Sequence, residues 1–426
     1  MIERVLAGML LLAATMSVFS PWAGRLLNHA RAVQALSWLF AISRIAAWLG
    51  CYVLIPGLVR SSDLVKYYYP EALNAVQGQV PYVDFASSYG PLFPYLAGAL
   101  LPVWQSPAAI ALILVACEVL AVFALCSIVR KTQSADPRGP SDPTLARALF
   151  IYALNPAAVY WSGMIAYNSS VILLFWVLAI GLLFAQRYGS SLVALSASVV
   201  FGKALGILAA PLWLADPRRR IKYVILAAVI ASLVFLVARQ FDIDLLLPLQ
   251  REGDRSTSGN VWFLLSGVLA LSPESTLWRL APLATFALSV GAFMTWLWSR
   301  WKQPPSFAQF CGAVAALGWL FMLLSKKTYP HYTPMFLLFC VLALCASRPK
   351  GAWILLLALV GAIGIIEPGL WNALGQPAML SDACTKACDP GTYYALIACD
   401  VALVSIEAYL VASCMRFACQ PSTKPA

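Results

Sequence analysis

The sequence predicts an all-α fold: a polytopic transmembrane helical bundle of about 11–12 spans with a large first outer loop. Three observations carry this. Hydrophobic residues make up 61% of the 426 positions and charged residues 11%, against roughly 45–50% and about 25% in soluble domains. Several apolar runs reach about 18 residues or more, enough to cross about 30 Å of hydrocarbon. Alternating strand patterns are missing, which argues against a barrel. Lipid cannot satisfy backbone N–H and C=O groups, so the apolar runs must be helices.

In chain order, the candidate spans are 5–22, 36–58, 107–130, 147–164, 169–186, 221–240, 277–299, 306–324, 332–347, 353–371 and 394–415. The first has few preceding positive charges and no small-x-small site before the next apolar run, so it reads as a retained span. The apolar segment 191–214 contains Lys203 and Pro211. It is either one span or two short helices in a hairpin, which leaves the total at eleven or twelve.

The net charge is +11, from 29 basic and 18 acidic residues. The basic residues lie mostly in short loops: Arg25 and Arg31, Arg130 to Arg147, Arg218 to Lys222, Arg300 and Lys302, Arg348 and Lys350, then Arg416. This is the positive-inside pattern, not a nucleic-acid surface. It puts the N-terminus outside and the C-terminus inside, with 191–214 as a hairpin returning to the cytoplasm. Segments 60–106, 241–276, 325–331 and 372–393 then fall on the opposite side. Two end in apolar stretches too short to span, Pro91–Trp104 and Val261–Leu271, which read as interfacial or re-entrant helices. The whole chain, 1–426, reads as one integral membrane domain without a fixed-period repeat. Two His and scattered Cys offer no zinc spacing. Cys384 and Cys388 share a polar loop; they are either a disulfide, if that loop lies outside, or two thiols.

The first outer loop, 60–106, is dense in acids, aromatics and helix stoppers. A helix is expected from Asp63 to Val76, capped by Ser62 or Asp63 and ended by Gly78. Asp63 follows a span directly, so its carboxylate belongs at the membrane surface, where it could act as a general base toward a hydroxyl acceptor. Tyr67, Tyr68, Tyr82 and Tyr89 can stack on sugar rings. The bland alternative makes Asp63 a helix cap and the tyrosines an interfacial belt.

The order Asp63-x3-Tyr67, then Gly78-x-x-Pro81-Tyr82-x-Asp84-Phe85, then Tyr89-Gly90-Pro91-Leu92 resembles the first outer loop of polytopic glycosyltransferases of the C fold class. The GPI mannosyltransferase-like and polyprenyl-phosphate-mannose-dependent branches come nearest. Leu154-Asn155-Pro156, Phe201-Gly202-Lys203 with Pro211, and Tyr329-Pro330-His331-Tyr332 resemble later elements of that family in the same order. Two features depart from it. Two candidate spans precede the loop instead of one, and Gly163 to Asn168 contains no acid where the family often has one. The resemblance implies Asp63 as catalytic base, with Asp84 as the alternative acid that orients the acceptor or assists.

A lipid-phosphate leaving group gains charge in the transition state and needs positive groups at the outer surface. Arg251, Arg255, Lys326, Lys327 and His331 are the candidates. Snorkelling at a helix end is the competing explanation for the lysines, a solvated loop for the arginines and packing for His331. Arg44 and Lys203 lie within apolar segments, where charge is costly and often functional; Lys203 reads as a structural or headgroup-facing residue at the cytoplasmic face.

The sequence therefore reads as an inverting membrane glycosyltransferase. It would move a sugar, mannose as first guess, from a polyprenyl-phosphate donor to a lipid or glycan acceptor. It would act on the non-cytoplasmic side, of a bacterial inner membrane by family analogy. No nucleotide-binding Gly-x-x-x-x-Gly-Lys occurs. No metal cluster or cofactor motif is evident, although Asp63 with Asp84 could hold one divalent ion. The rival is a transporter or flippase of lipid-linked sugars, which needs polar groups along a midplane path; Arg44, Glu118 and Lys203 are its main candidates.

Overall fold

A computed structural model describes residues 2–55, 62–135, 140–215, 220–240, 244, 247, 255–269, 275–347, 351–382 and 389–420. Arg251, Cys384 and Cys388 lie outside them. Among the described residues the chain is helical, and the one β-type pairing is an isolated bridge between Pro81 and Phe85. It is a multi-pass membrane protein: seven helices are long and apolar enough to cross a bilayer, or up to nine if each of two bent pairs counts as one span.

The helices are α1 (Ile2–Met16), α2 (Pro21–Leu27), α3 (Ala32–Trp48), α4 (Tyr69–Val76), α5 (Phe93–Gly98), α6 (Pro107–Ala135), α7 (Asp142–Leu154) and α8 (Ser169–Phe184). They continue with α9 (Tyr188–Val200), α10 (Arg220–Gln240), α11 (Val261–Leu269), α12 (Thr276–Arg300), α13 (Phe307–Leu324), α14 (Pro334–Ala346), α15 (Ala352–Ala373) and α16 (Pro390–Ala418).

Several of the expected spans are bent, broken or short, for local reasons. The first span breaks by 67° where Ser20 caps α2 and Pro21 starts it. The expected span 147–164 ends at Leu154, because Pro156 cannot continue the helical hydrogen bonds. A π-helical turn at Ala158–Met164 then meets α8 at 105°. The stretch 332–347 contains only the 13 residues of α14. Segment 188–215 is two short helices: α9 and the 3-10 segment Ala204–Ala215. Ser198 donates to Gly206 O at 3.1 Å and Trp213 Nε1 to Ser191 Oγ at 2.8 Å, so the two run antiparallel about residues 201–203.

Helix starts follow capping chemistry. Ser306 and Gln309 form a reciprocal capping box at α13. Asp389 accepts from Gly391 N and Thr392 N ahead of α16, with Pro390 in the first turn. The Thr392 hydroxyl and those two backbone donors hold the Asp389 carboxyl below the usual carboxylate range.

The chain forms two compact units. One contains 1–33, 138–160 and 254–426; the other contains 34–137 and 161–253. In the first, α13 packs on α14 and α16, and α1 on α15. Asn155 is fully buried there: its Nδ2 donates to Leu357 O at 3.0 Å and its Oδ1 accepts from Ala157 N at 2.9 Å. The Leu-Asn-Pro element thus ends α7 and ties it to α15. In the second unit, α8 packs on α6 and α9, and α4 on α5. Arg44 on α3 and Glu118 on α6 pair at 3.0 Å, both buried. Removing one partner of such a pair strands a charge and costs about 3–5 kcal/mol, so the simplest role for both is structural.

Candidate functional site

The second unit contains the first long loop. It opens with the π-helical turn Leu64–Tyr68, which runs into α4. Pro70 fits at the helix start, where its missing N–H costs nothing. Gly78, at φ +88°, reverses the chain after α4, a backbone state that suits glycine. Asp63 precedes the π turn in helical geometry and its side chain makes no capping hydrogen bond. It is half-buried. Nor does the Ser62 side chain cap it: Ser62 Oγ has no hydrogen-bond partner among the described residues, and only its carbonyl takes part, accepting from Val65 N and Lys66 N as the first helical turn.

Asp84 is exposed and closes a tight turn: its Oδ2 accepts from Val80 N at 2.6 Å, and its own N–H donates to Val80 O at 2.9 Å. Tyr82 lies inside that turn at φ +70°, a strained state for a ring-bearing residue that costs about 1–3 kcal/mol. Its hydroxyl donates to Tyr89 O, and its N–H donates to Phe85 O at 2.7 Å. Burial pushes the Tyr82 phenol up, and neighbouring Glu71 pushes it further. Glu71 also accepts from Ser87 Oγ at 2.7 Å, and Ser87 Oγ accepts from Tyr89 N.

The aromatic residues divide. Tyr67 is 44% exposed, whereas Tyr82 and Tyr89 are buried. Tyr68, Tyr89 and Phe93 form a cluster with ring centroids 4.9–5.1 Å apart, the spacing of favourable edge and offset contacts.

This loop docks on two distant segments of its own unit. Gly90 N donates to Gly202 O and Leu92 N to Val200 O, each at 3.0 Å. A Cβ at Gly90 would collide with the carbonyls of Val199 and Val200, so only glycine permits the approach. Lys203 Nζ lies 5.4 Å over the Tyr89 ring. Lys203 therefore faces the first long loop. Asn168 N donates to the Tyr68 hydroxyl at 3.3 Å. The first long loop thus meets two segments about a hundred residues further along the chain.

The first unit contains Arg255, Lys326, Lys327 and His331, the described members of the expected phosphate set. Loops 255–260 and 325–329 are latched together: Thr257 N donates to Lys326 O at 3.0 Å, Thr257 Oγ1 to Thr328 O at 2.6 Å, and Thr328 N to Thr257 Oγ1 at 2.8 Å. Arg255 is exposed. Lys327 Nζ lies 5.7 Å over the Tyr329 ring, which stacks on His331 at 5.0 Å. His331 is buried, so packing explains it well.

The same unit contains acids that the sequence reading did not single out. Glu367 on α15 and Asp400 and Glu407 on α16 are buried. Ser258 Oγ donates to Glu367, and Gly259 N donates to Asp400 Oδ1 at 3.1 Å. Asp400 Oδ2 and Glu407 Oε2 have no hydrogen-bond partner among the described residues. Asp400 and Glu407 are seven residues apart on one helix, so they share a face. Their position inside two strongly apolar spans was the available signal. No group of three His, Cys, Asp or Glu that could hold a metal ion occurs among the described residues.

No protein-family model matches the chain, and no curated protein matches it.

Proposed function

We propose that the protein is a membrane glycosyltransferase that uses a polyprenyl-phosphate sugar, with mannose the first candidate. It acts on a lipid-linked or glycan acceptor at the non-cytoplasmic face of a bacterial inner membrane. The observation that supports this most is the position of the Asp63 carboxylate. It stands half-buried at the start of the long loop, directly ahead of the π-helical turn Leu64–Tyr68.

In this reading Asp63 accepts the proton of an acceptor hydroxyl. The hydroxyl oxygen bonds to the anomeric carbon as the bond from that carbon to the phosphate oxygen breaks, which inverts the centre. The electron pair leaves with the polyprenyl phosphate, whose growing negative charge calls for positive or hydrogen-bond-donating groups. General-base catalysis contributes about 10²–10⁴-fold. The test is transfer from a radiolabelled polyprenyl-phosphate sugar by purified protein. Asp63→Asn should fold normally and lose transfer by about that factor; unchanged transfer removes Asp63 as base.

A second reading, a transporter of lipid-linked sugars, is favoured by one observation: the buried Glu367, Asp400 and Glu407 within spanning helices. Intramembrane carboxylates are costly and commonly serve transport paths. Movement of sugar-lipid across liposomes without any product would select this reading.

A further inference from the structure

We propose that the bend at residues 161–170, which leads into α8, is a binding subsite for the phosphate headgroup of an isoprenoid lipid. This deepens the transferase reading and rests on it for the identity of the lipid; the phosphate chemistry is argued from the bend itself.

The bend is closed by Tyr167 N donating to Trp161 O at 3.1 Å. Four polar side chains lie along it: Ser162, Asn168, Ser169 and Ser170, all 0–2% exposed. Ser162 Oγ, Asn168 Nδ2, Ser169 Oγ and Ser170 Oγ have no hydrogen-bond partner among the described residues. Leaving a buried donor unpaired is costly, so four within nine residues are a large uncompensated cost for packing alone.

Serine and threonine residues elsewhere in this chain show what an idle hydroxyl does. Ser43, Thr132, Ser198, Ser266 and Ser347 each donate to the carbonyl three residues earlier. That local bond is how a helical hydroxyl is normally satisfied in an apolar setting. Ser162, Ser169 and Ser170 do not make it. Asn168 stands at the N-cap position of α8, yet its side chain caps nothing. The hydroxyl and amide donors are thus left for a ligand rich in acceptors.

The field at this place favours an anion. α8 is 16 residues long and presents its N-terminus here; a helix start has a partial positive charge and suits phosphate. Asn168 N also contacts the Tyr68 hydroxyl, and Tyr68 packs on Tyr89, beneath Lys203 Nζ. A phosphate offers enough acceptor oxygens to take all four donors. The apolar surroundings, α8 and α9, suit an isoprenoid tail.

The test uses full-length protein in lipid nanodiscs with radiolabelled farnesyl phosphate as probe, and farnesol and inorganic phosphate as competitors. Farnesyl phosphate should bind at least about tenfold tighter than farnesol. The double variant Ser169→Ala with Ser170→Ala should weaken it about tenfold, and Asn168→Asp, which adds a negative charge at the same shape, should weaken it more. Thermal unfolding of each variant checks the fold; Ser162→Ala provides a second, milder substitution if Asn168→Asp unfolds. Equal binding of farnesyl phosphate and farnesol, or unchanged affinity in folded variants, overturns the proposal. Competition by inorganic phosphate as strong as by farnesyl phosphate overturns the lipid assignment. Failure here and failure of the transferase reading are separable. If the binding pattern holds while wild-type protein transfers no sugar, the enzyme reading falls and the subsite stands. If Asp63-dependent transfer occurs without the pattern, the subsite alone falls.

Discussion

The loop at 62–93 and the loop at 255–260 are built by similar means and treat their acids in opposite ways. Both are latched by backbone hydrogen bonds to another loop, Gly90 to Gly202 in one and Thr257 to Lys326 in the other. The first leaves Asp63 half-buried and Asp84 exposed. The second donates its Ser258 hydroxyl and Gly259 amide directly into carboxylates that are sealed inside spanning helices. A carboxylate that must exchange a proton with a substrate needs access. One that is fully enclosed serves architecture or a path through the protein. The contrast is why the reaction is proposed at the first loop, and why the acids of α15 and α16 are the strongest support for the rival.

The largest effect that could break this comparison is on activity. Asp63→Asn should cut transfer by about 10²–10⁴-fold with an unchanged unfolding midpoint, whereas Glu367→Gln should leave transfer within a few-fold of wild type. The reverse result in the radiolabel assay would move the chemistry to the first unit.

Next in size is Gly90→Ala. Its new methyl meets the Val199 and Val200 carbonyls, and overpacking of this kind costs about 1–3 kcal/mol or more. Thermal unfolding in detergent should show a clear loss of stability, and transfer should fall with it because the loop can no longer dock.

Ser258→Ala removes the donor to Glu367 and leaves a buried acceptor unpaired, at about 1–3 kcal/mol. Measured by chemical or thermal unfolding, that loss should exceed the loss for Ser87→Ala, whose partner Glu71 is only half-buried. Equal losses would mean that the two loops differ less in their enclosure than their geometry indicates.

The smallest effect is at Tyr82. Tyr82→Phe loses one hydrogen bond to Tyr89 O, about 1 kcal/mol. The phenol is raised by burial and by Glu71, so its contribution is complete below the unfolded value near pH 10 and is lost as pH rises further. Wild type should therefore lose stability above about pH 10 more steeply than Tyr82→Phe; parallel curves would count against the buried phenol.

Much of the fold was legible in the sequence, and specific residues explain where it was not. Gly78 ended α4 as expected, since a left-handed backbone state is written in one residue. The hairpin at 191–214 was one of two open readings, and Lys203 with Pro211 marked the right place. The expected span at 147–164 failed because hydropathy ignores the break that Pro156 imposes. Asp63 was picked out by its position after a span, but whether its carboxylate capped the helix depended on backbone geometry. Glu71, Glu367, Asp400 and Glu407 were passed over. The last three were visible as charges inside apolar runs; Glu71 had no sequence signal, since its role is set by Ser87 sixteen residues away.

By itself, then, the sequence determined an all-helical membrane protein, the placement of its long polar loops and the ends of many helices. These follow from hydropathy, capping and glycine or proline geometry, which act over a few residues. Tertiary structure alone decided that Tyr68, Tyr89, Asn168 and Lys203 meet in one unit, that Arg255 and Lys326 share a latched pair of loops in the other, and which acids are enclosed. Those outcomes depend on which surfaces pack together across tens of residues to about a hundred, and no local pattern encodes the partner.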